Sequence, residues 1–255
     1  MDESTHKRFT PVSQRLGGKR HERHNRKIGR VGWDDWIRTV EVEPSLYAAD
    51  FSKLGHDVDV LLRAGARIVH FDVGDAHFVE PVTMGPIVLR SIAPLVHEGG
   101  GYVDCHLMVD DPAHHLAAFE EAGADSVTFH AEAVDDPAAV AAAAREHGFS
   151  VGLAFNPETA VEEVAPLADA FDLVLCMSIH PGYSGQEFMP DALPRIEQLR
   201  SLVPAHVHVQ VDGGISHENI RSVYDAGADL IVCGSAIFGR EDLPRAYRRL
   251  VQALA

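Results

Sequence analysis

Cysteine is nearly absent from this chain of 255 residues, which holds three: Cys105, Cys176 and Cys233. An odd, widely spaced set with no CxxC pair argues against a disulfide framework and against a thiolate zinc or redox site. Long apolar runs are lacking as well. No stretch approaches the roughly 18 consecutive apolar residues of a membrane helix, and the N-terminus has no apolar core of a secretory signal. A soluble, cytoplasmic protein with no membrane partner is therefore expected. No GxGxxG follows the first apolar run, which removes the fingerprint of a dinucleotide-binding fold. Lysine is also scarce, with four residues in the whole chain.

Basic charge gathers at one end. Residues 1–38 hold ten Lys and Arg against five acids, and residues 39–255 hold 12 against 33, so a leader of +5 precedes a body of −21. So acidic a body repels nucleic acid, which is not expected as a partner. Residues 1–32 lack hydrophobic periodicity and are rich in Arg, Lys, His and Gly, the pattern of a disordered extension. Its stretch Lys19 to Arg30 is read as a solvated tail; RNA, an anionic surface or a neighbouring subunit are the contacts its charge would suit. Trp33, Trp36 and Ile37 begin the folded domain, residues 33–255, as a short helix closing its bottom.

From Val40 onward, runs of Val, Ile, Leu and Phe alternate with longer Ala- and Leu-rich helical patterns. Eight runs read as strands: Val40–Ser45, Ile68–Val73, Tyr102–Met108, Ser126–His130, Val151–Phe155, Leu173–Ser178, Val207–Val211 and Leu230–Cys233. Strict alternation implies parallel strands joined by crossover helices. The triplets Ala64-Gly65-Ala66, Ala122-Gly123-Ala124 and Ala226-Gly227-Ala228 each end a helical pattern, where Gly suits a left-handed C-cap. Their spacing corresponds to two and then four units of about 27 residues, and eight such units fill the body as a single (β/α)8 TIM barrel. An open doubly wound sheet is the alternative.

Chemistry in such a barrel sits at the C-terminal ends of its strands. His70 and Asp72 are two apart and so share a strand face. If that face is interior, they meet His106 from the third strand and Asp212 from the seventh. Two imidazoles and two carboxylates suit one divalent ion, zinc first, with iron, manganese or cobalt as alternatives. Singly, each residue reads equally as a hydrogen-bonded core side chain or a helix cap. Gly182, Tyr183, Ser184 and Gly185 in the loop after the sixth strand, with Gly213, Gly214, Gly234 and Ser235, gather unhindered backbone N–H groups. These suit a phosphate.

Pro44-Ser45-Leu46, His70-Phe71-Asp72, His77-Phe78-Val79, Cys105-His106-Leu107-Met108-Val109, Met177-Ser178, Pro181-Gly182, Val211-Asp212-Gly213-Gly214 and Gly234-Ser235-Ala236-Ile237-Phe238 resemble, in order, the ribulose-phosphate 3-epimerase family. The resemblance spans about residue 40 to the C-terminus. It implies a metal-dependent 3-epimerase of D-ribulose 5-phosphate, in the pentose phosphate pathway, with no organic cofactor. It makes His70, Asp72, His106 and Asp212 the metal ligands and Asp72 and Asp212 the proton-transfer pair. Ser45 and His106 would touch the sugar, and Met108 and Met177 would cover the reacting carbons. The C3 proton of a 2-ketose is too weakly acidic for a carboxylate alone, so a cation must stabilise the cis-enediolate while two carboxylates exchange roles. A sugar phosphate is the expected partner, and a homo-oligomer the expected assembly.

The segment Asp72-Val73-Gly74-Asp75-Ala76-His77-Phe78-Val79-Glu80-Pro81 departs from the family's usual Asp-Val-Met-Asp-Gly-His-Phe-Val-Pro-Asn. Gly74 removes a sulfur, and is expected to leave space and a more flexible loop. His180 and Ser184 also replace the family's common Asn and Gly. These changes keep a second substrate in view, an allulose 6-phosphate-like or tetrulose phosphate, with a non-catalytic phosphate-binding barrel as a third reading. Asp75 and His77 either orient the ligands or anchor their loop.

Overall fold

A computed structural model describes residues 32–255; the expected basic extension lies, but for Gly32, outside the described residues. Strands β1 (Glu41–Pro44), β2 (Ile68–Gly74), β3 (Tyr102–Met108), β4 (Ser126–His130), β5 (Ser150–Phe155), β6 (Leu173–Met177), β7 (His208–Asp212) and β8 (Leu230–Cys233) match the eight runs to within one residue at either end. Helices α1 (Trp33–Trp36), α2 (Leu54–Ala64), α3 (Pro86–Glu98), α4 (Pro112–Ala122) and α5 (Pro137–Glu146) lie before and between the first five. α6 (Val161–Val164), α7 (Ala192–Leu202), α8 (Ile220–Asp225), α9 (Ser235–Phe238) and α10 (Leu243–Ala253) complete the alternation. All pairs are parallel, in the order β1-β8-β7-β6-β5-β4-β3-β2. The ends meet where Ser45 bridges His70. The result is a (β/α)8 barrel whose seam lies between β1 and β2.

Local sequence punctuates the helices. Asp111-Pro112 and Asp136-Pro137 open α4 and α5: the carboxylates accept from the N–H groups of His114 at 3.2 Å and Ala139 at 3.1 Å. Proline then takes a first position that needs no N–H. The three Ala-Gly-Ala triplets end α2, α4 and α8 with Gly65, Gly123 and Gly227 at φ 109, 98 and 110°, as their left-handed role requires.

Two apolar cores result. One lies between barrel and helices and includes Cys105 and Cys176, facing outward as expected of residues beside inward His106 and Met177. The other fills the barrel from Trp33 and Trp36, over Ile68, Leu173 and Leu230 at the strand starts, up to Met177 and Ile179. Both tryptophans are buried, and Trp36 stacks on Tyr102 with centroids 4.6 Å apart. The short α1 therefore plugs the bottom, as expected. His114 and His206 are exposed, and His115, His147 and His208 are half-buried.

A repeated brace secures the strand starts. Asp125, Asp172 and Asp229 precede β4, β6 and β8 and accept from the N–H groups of Val103, Val151 and Val209 on the preceding strands, at 2.7, 2.7 and 3.1 Å. Each also meets a cation: His97 at 2.9 Å from Asp125, Arg145 at 2.9 Å from Asp172, and His208 at 3.6 Å from Asp229. The hydrogen bond to Asp125 raises His97 above its usual range. For His208 burial works downward, but Asp229 and Asp34 outweigh it and raise the imidazole. A pKa raised by folding contributes stability that is full below the unfolded value, about 6.5, and is lost as pH rises through the folded value. A His97→Gln/His208→Gln variant should accordingly fall further below the wild-type Tm at pH 6 than at pH 9, in paired thermal melts.

Candidate active site

Strand register assembles the site. Parallel pairing sets Asp72 beside His106, one step below it His70 beside Asp104, and Asp212 beside Met177. All six point inward in the C-terminal part of the barrel. His70 and His106 are fully buried, Asp72 is 4% exposed, and Asp212 is the more accessible carboxylate. One ligand atom each from His70, Asp72, His106 and Asp212 lies within 4.8 Å of the others. His70 Nε2 stands 3.3 Å from Asp72 Oδ1, and His106 Nδ1 stands 3.2 Å from Asp72 Oδ1 and 4.0 Å from Asp212 Oδ2. Ligands of a tetrahedral zinc ion are about 3.3 Å apart, from bonds near 2.0–2.1 Å.

Three observations fit a cation. His70 Nε2 is buried without a hydrogen-bond partner and faces this cluster. Burial pushes Asp212 up to about 7, reinforced by the negative charge of Asp72. Burial opposes ionisation of Asp72 too, but the neighbouring imidazoles overcome it and hold that carboxyl well below its usual range. The same field acts on His70: burial works downward, and Asp72, Asp104 and Glu43 outweigh it and raise the imidazole. Carboxylates outnumber imidazoles here, so the local field calls for positive charge.

A layer beneath the cluster escaped sequence analysis. Asp104 Oδ2 lies 3.0 Å from His70 Nδ1 and accepts at 2.8 Å from the Gln210 amide, which also donates to Glu43 Oε2 at 2.8 Å. Ser126 Oγ donates to Asp104 Oδ1 at 2.7 Å. Asp104 is placed to accept a proton from His70 Nδ1, an arrangement that would leave Nε2 to a metal. On the other imidazole, His106 Nε2 lies 2.8 Å from His130 Nε2. Burial lowers His130 to about 4, so it is neutral, and its Nε2 can accept from His106 and free Nδ1. Its own Nδ1 faces Glu132 at 3.4 Å, too poorly aligned for a hydrogen bond. A signal was available: Asp104 and Gln210 sit two residues before His106 and Asp212, hence on the same strand faces one layer down.

The expected substrate-facing residues surround one cleft above the cluster. Ser45, Asp72, Met108, Met177, Asp212, Gly182, Tyr183, Ser184, Gly185, Gly214, Gly234 and Ser235 all line it. His70 and His106 lie beneath the surface of the cleft. Ser45 Oγ donates to Asp72 Oδ2 at 2.6 Å. Gly213 does not line the cleft. It is buried at φ +126°, and a Cβ there would stand 2.4 Å from Ile179, so its glycine serves close packing. Gln186 holds the loop after β6 by donating to the carbonyls of His180 at 2.8 Å and Tyr183 at 3.0 Å.

The loop after β2 corrects one expectation. Gly74 leaves neither space nor slack: it ends β2, and a Cβ there would stand 2.8 Å from Pro81 O, 2.9 Å from Val79 Cγ2 and 3.1 Å from Thr83 Cγ2. Residues 79–83 fold back onto it, with Thr83 Oγ1 accepting from the Gly74 N–H at 2.7 Å. A methionine at this position has no room. Of the two roles open to Asp75, anchoring is the one found: it accepts from His77 and Phe78 N–H at 2.8 and 2.9 Å and, across to the β3 loop, from Asp110 N–H at 2.9 Å. His77 itself is exposed. His180 turns to Glu158 at 3.0 Å.

With this geometry in place, comparison with known proteins is informative. The Ribulose-phosphate 3 epimerase family matches residues 41–238. The ribulose-phosphate 3-epimerase of Schizosaccharomyces pombe is 40% identical over 199 residues, 78% of this chain and 87% of the relative. That of Bacillus subtilis is 35% identical over 215 residues, 83% of this chain and 98% of the relative. Among solved structures, 3-hexulose-6-phosphate synthase from Salmonella typhimurium shares the fold with a TM-score of 0.64 at 18% identity, covering 84% of this chain and 98% of that one. Barrel and site thus define a carbohydrate epimerase, an isomerase. The chain belongs to the ribulose-phosphate 3-epimerase family.

The buried layer yields a direct test. Asp104→Ala should weaken zinc affinity by about 10–100-fold, read by competition with a chromogenic chelator; unchanged affinity would show that Asp104 does not set the His70 tautomer.

Proposed function

We propose that this protein interconverts D-ribulose 5-phosphate and D-xylulose 5-phosphate by inverting C3 through a cis-enediolate, with one divalent ion at His70 Nε2, Asp72, His106 Nδ1 and Asp212. The observation that carries this is the pair Asp72 and Asp212 lining one cleft in a cluster with His70 and His106 whose ligand atoms lie within 4.8 Å of one another; the imidazoles hold Asp72 low, while burial and the charge of Asp72 push Asp212 up to about 7. A carboxylate and a carboxylic acid facing one substrate are the base and acid that inversion needs. When bound, the ion supplies the Lewis acidity that brings the proton beside a ketone within reach of a carboxylate.

The chain's own groups do the rest. Asp72 takes the C3 proton on one face and Asp212 returns one to the other; the roles exchange in the reverse direction. Ser45, donating to Asp72, keeps that carboxylate aimed at the cleft. Met108 and Met177, 3% and 1% exposed, place polarizable sulfur beside the planar intermediate and exclude water. Backbone N–H groups at Gly214, Gly234 and Ser235, with the loop Gly182 to Gly185, receive the phosphate.

Of the departures that kept another ketose phosphate in view, Ser184 lines the cleft and Glu80 accepts from its Tyr183, whereas the two other substitutions nearest the site do not enter it. Gly74 is covered by its own loop, and His180 faces Glu158. Ribulose 5-phosphate is therefore the favoured substrate. Metal-loaded protein in deuterated water should convert it to xylulose 5-phosphate labelled at C3, and Asp72→Asn or Asp212→Asn should lower kcat by about 10²–10⁴-fold while phosphate binding persists. Failure of turnover and exchange with zinc, iron, manganese and cobalt alike would overturn the proposal. A preference of orders of magnitude in kcat/KM for a six- or four-carbon ketose phosphate would overturn the substrate assignment.

A further inference from the structure

Residues 39–255 hold twelve Lys and Arg side chains, and eight of them are matched within the protein. Lys53, Arg63, Arg90, Arg145, Arg200 and Arg221 pair with carboxylates. Arg67 and Arg195 donate to backbone carbonyls. The remaining four, Arg240, Arg245, Arg248 and Arg249, make no side-chain hydrogen bond or ion pair among the described residues. The unmatched cations of an acidic body are thus gathered within ten consecutive positions.

Arg240, Arg245 and Arg249 line one groove of about 450 Å³ between α9, α10 and the loop after β7. Ala236, Ala246 and Leu250 supply apolar lining, and His217 stands at the loop side. Asp242 is the single carboxylate lining it, and its Oδ1 is engaged 2.9 Å from the Arg245 N–H as the cap of α10. Arg245 and Arg249, four apart on α10, share a face and repel one another. Neither guanidinium has an ion-pair partner among the described residues to relieve that repulsion.

We propose that this groove binds a small anion carrying two or more phosphate groups. Guanidinium is the side chain best matched to phosphate, through two parallel N–H bonds at a time, and three of them exceed the needs of a single phosphate. The groove is concave and within the size range of small-molecule sites. It is a second anion site beside the catalytic one: the segment Gly234–Arg240, which contains α9, lines the cleft with Gly234 and Ser235 and the groove with Ala236 and Arg240.

Titration calorimetry of the full chain with inorganic tripolyphosphate tests this. Wild-type protein should bind it, and Arg245→Gln/Arg249→Gln should bind at least tenfold more weakly with an unchanged Tm, since both side chains are exposed. Inorganic phosphate should show a far smaller difference between the two proteins. Equal tripolyphosphate affinity in both would place the anion in the catalytic cleft and overturn the proposal, as would no binding to the wild type. Arginine-dependent binding of a poly-glutamate peptide at equal or higher affinity would also overturn it, by making the groove a docking surface for acidic protein.

Discussion

Burying carboxylates beside one another inside a barrel is costly unless positive charge and hydrogen bonds surround them, and the architecture of the upper barrel answers that cost. Asp72 has His70, His106 and the Ser45 hydroxyl. Asp104 has His70, Gln210 and Ser126. Glu43 has the Gln210 amide and is still pushed up to about 7 by burial. Each imidazole is shared between a carboxylate above and a partner behind, so neither can rotate without stranding a buried charge. The cluster also occupies the seam between β1 and β2, where Ser45 and His70 close the sheet. Barrel closure and site geometry are therefore one constraint.

The rim loops are tied by polar side chains that do no chemistry. Asp75 fastens the β2 loop to itself and to Asp110, Gln186 shapes the β6 loop, and Tyr183 donates to Glu80 at 2.6 Å between those two loops. A body of −21 cannot attract an anionic sugar phosphate by net charge. On the proposed function attraction is local, from backbone N–H groups at the cleft and from the cation that the cluster would hold. Among the described residues, Arg240 and the arginines of α10 form a group of cations without ion-pair partners.

Much of this was legible in the sequence because its signals are local. Alternating apolar runs and Ala-Gly-Ala helix ends set the number and place of the strands, and period-two spacing aligned His70 with Asp72. Trp33 and Trp36 were readable as the plug that closes the bottom of the barrel. Glu43, Asp104, Gln210, His130 and Glu132 were given no role for a physical reason: what each does depends on which buried side-chain atom it faces, and strand spacing assigns faces without naming atoms. Gly74 misled for a related reason. A missing side chain reads as freedom along the chain, whereas here residues 79–83 fill the space.

By itself, then, the sequence determined the (β/α)8 alternation, the strand ends bearing His70, Asp72, His106 and Asp212, and the acidic body. Only the tertiary structure decided that His70 Nε2 and His106 Nδ1 both stand beside Asp72, that their surroundings push Asp72 and Asp212 in opposite directions, and that Arg240, Arg245 and Arg249 line one groove. The division follows from range. Helix and strand signals act over a few residues, whereas tautomer, pKa and unneutralised charge depend on through-space neighbours that barrel closure brings from distant positions.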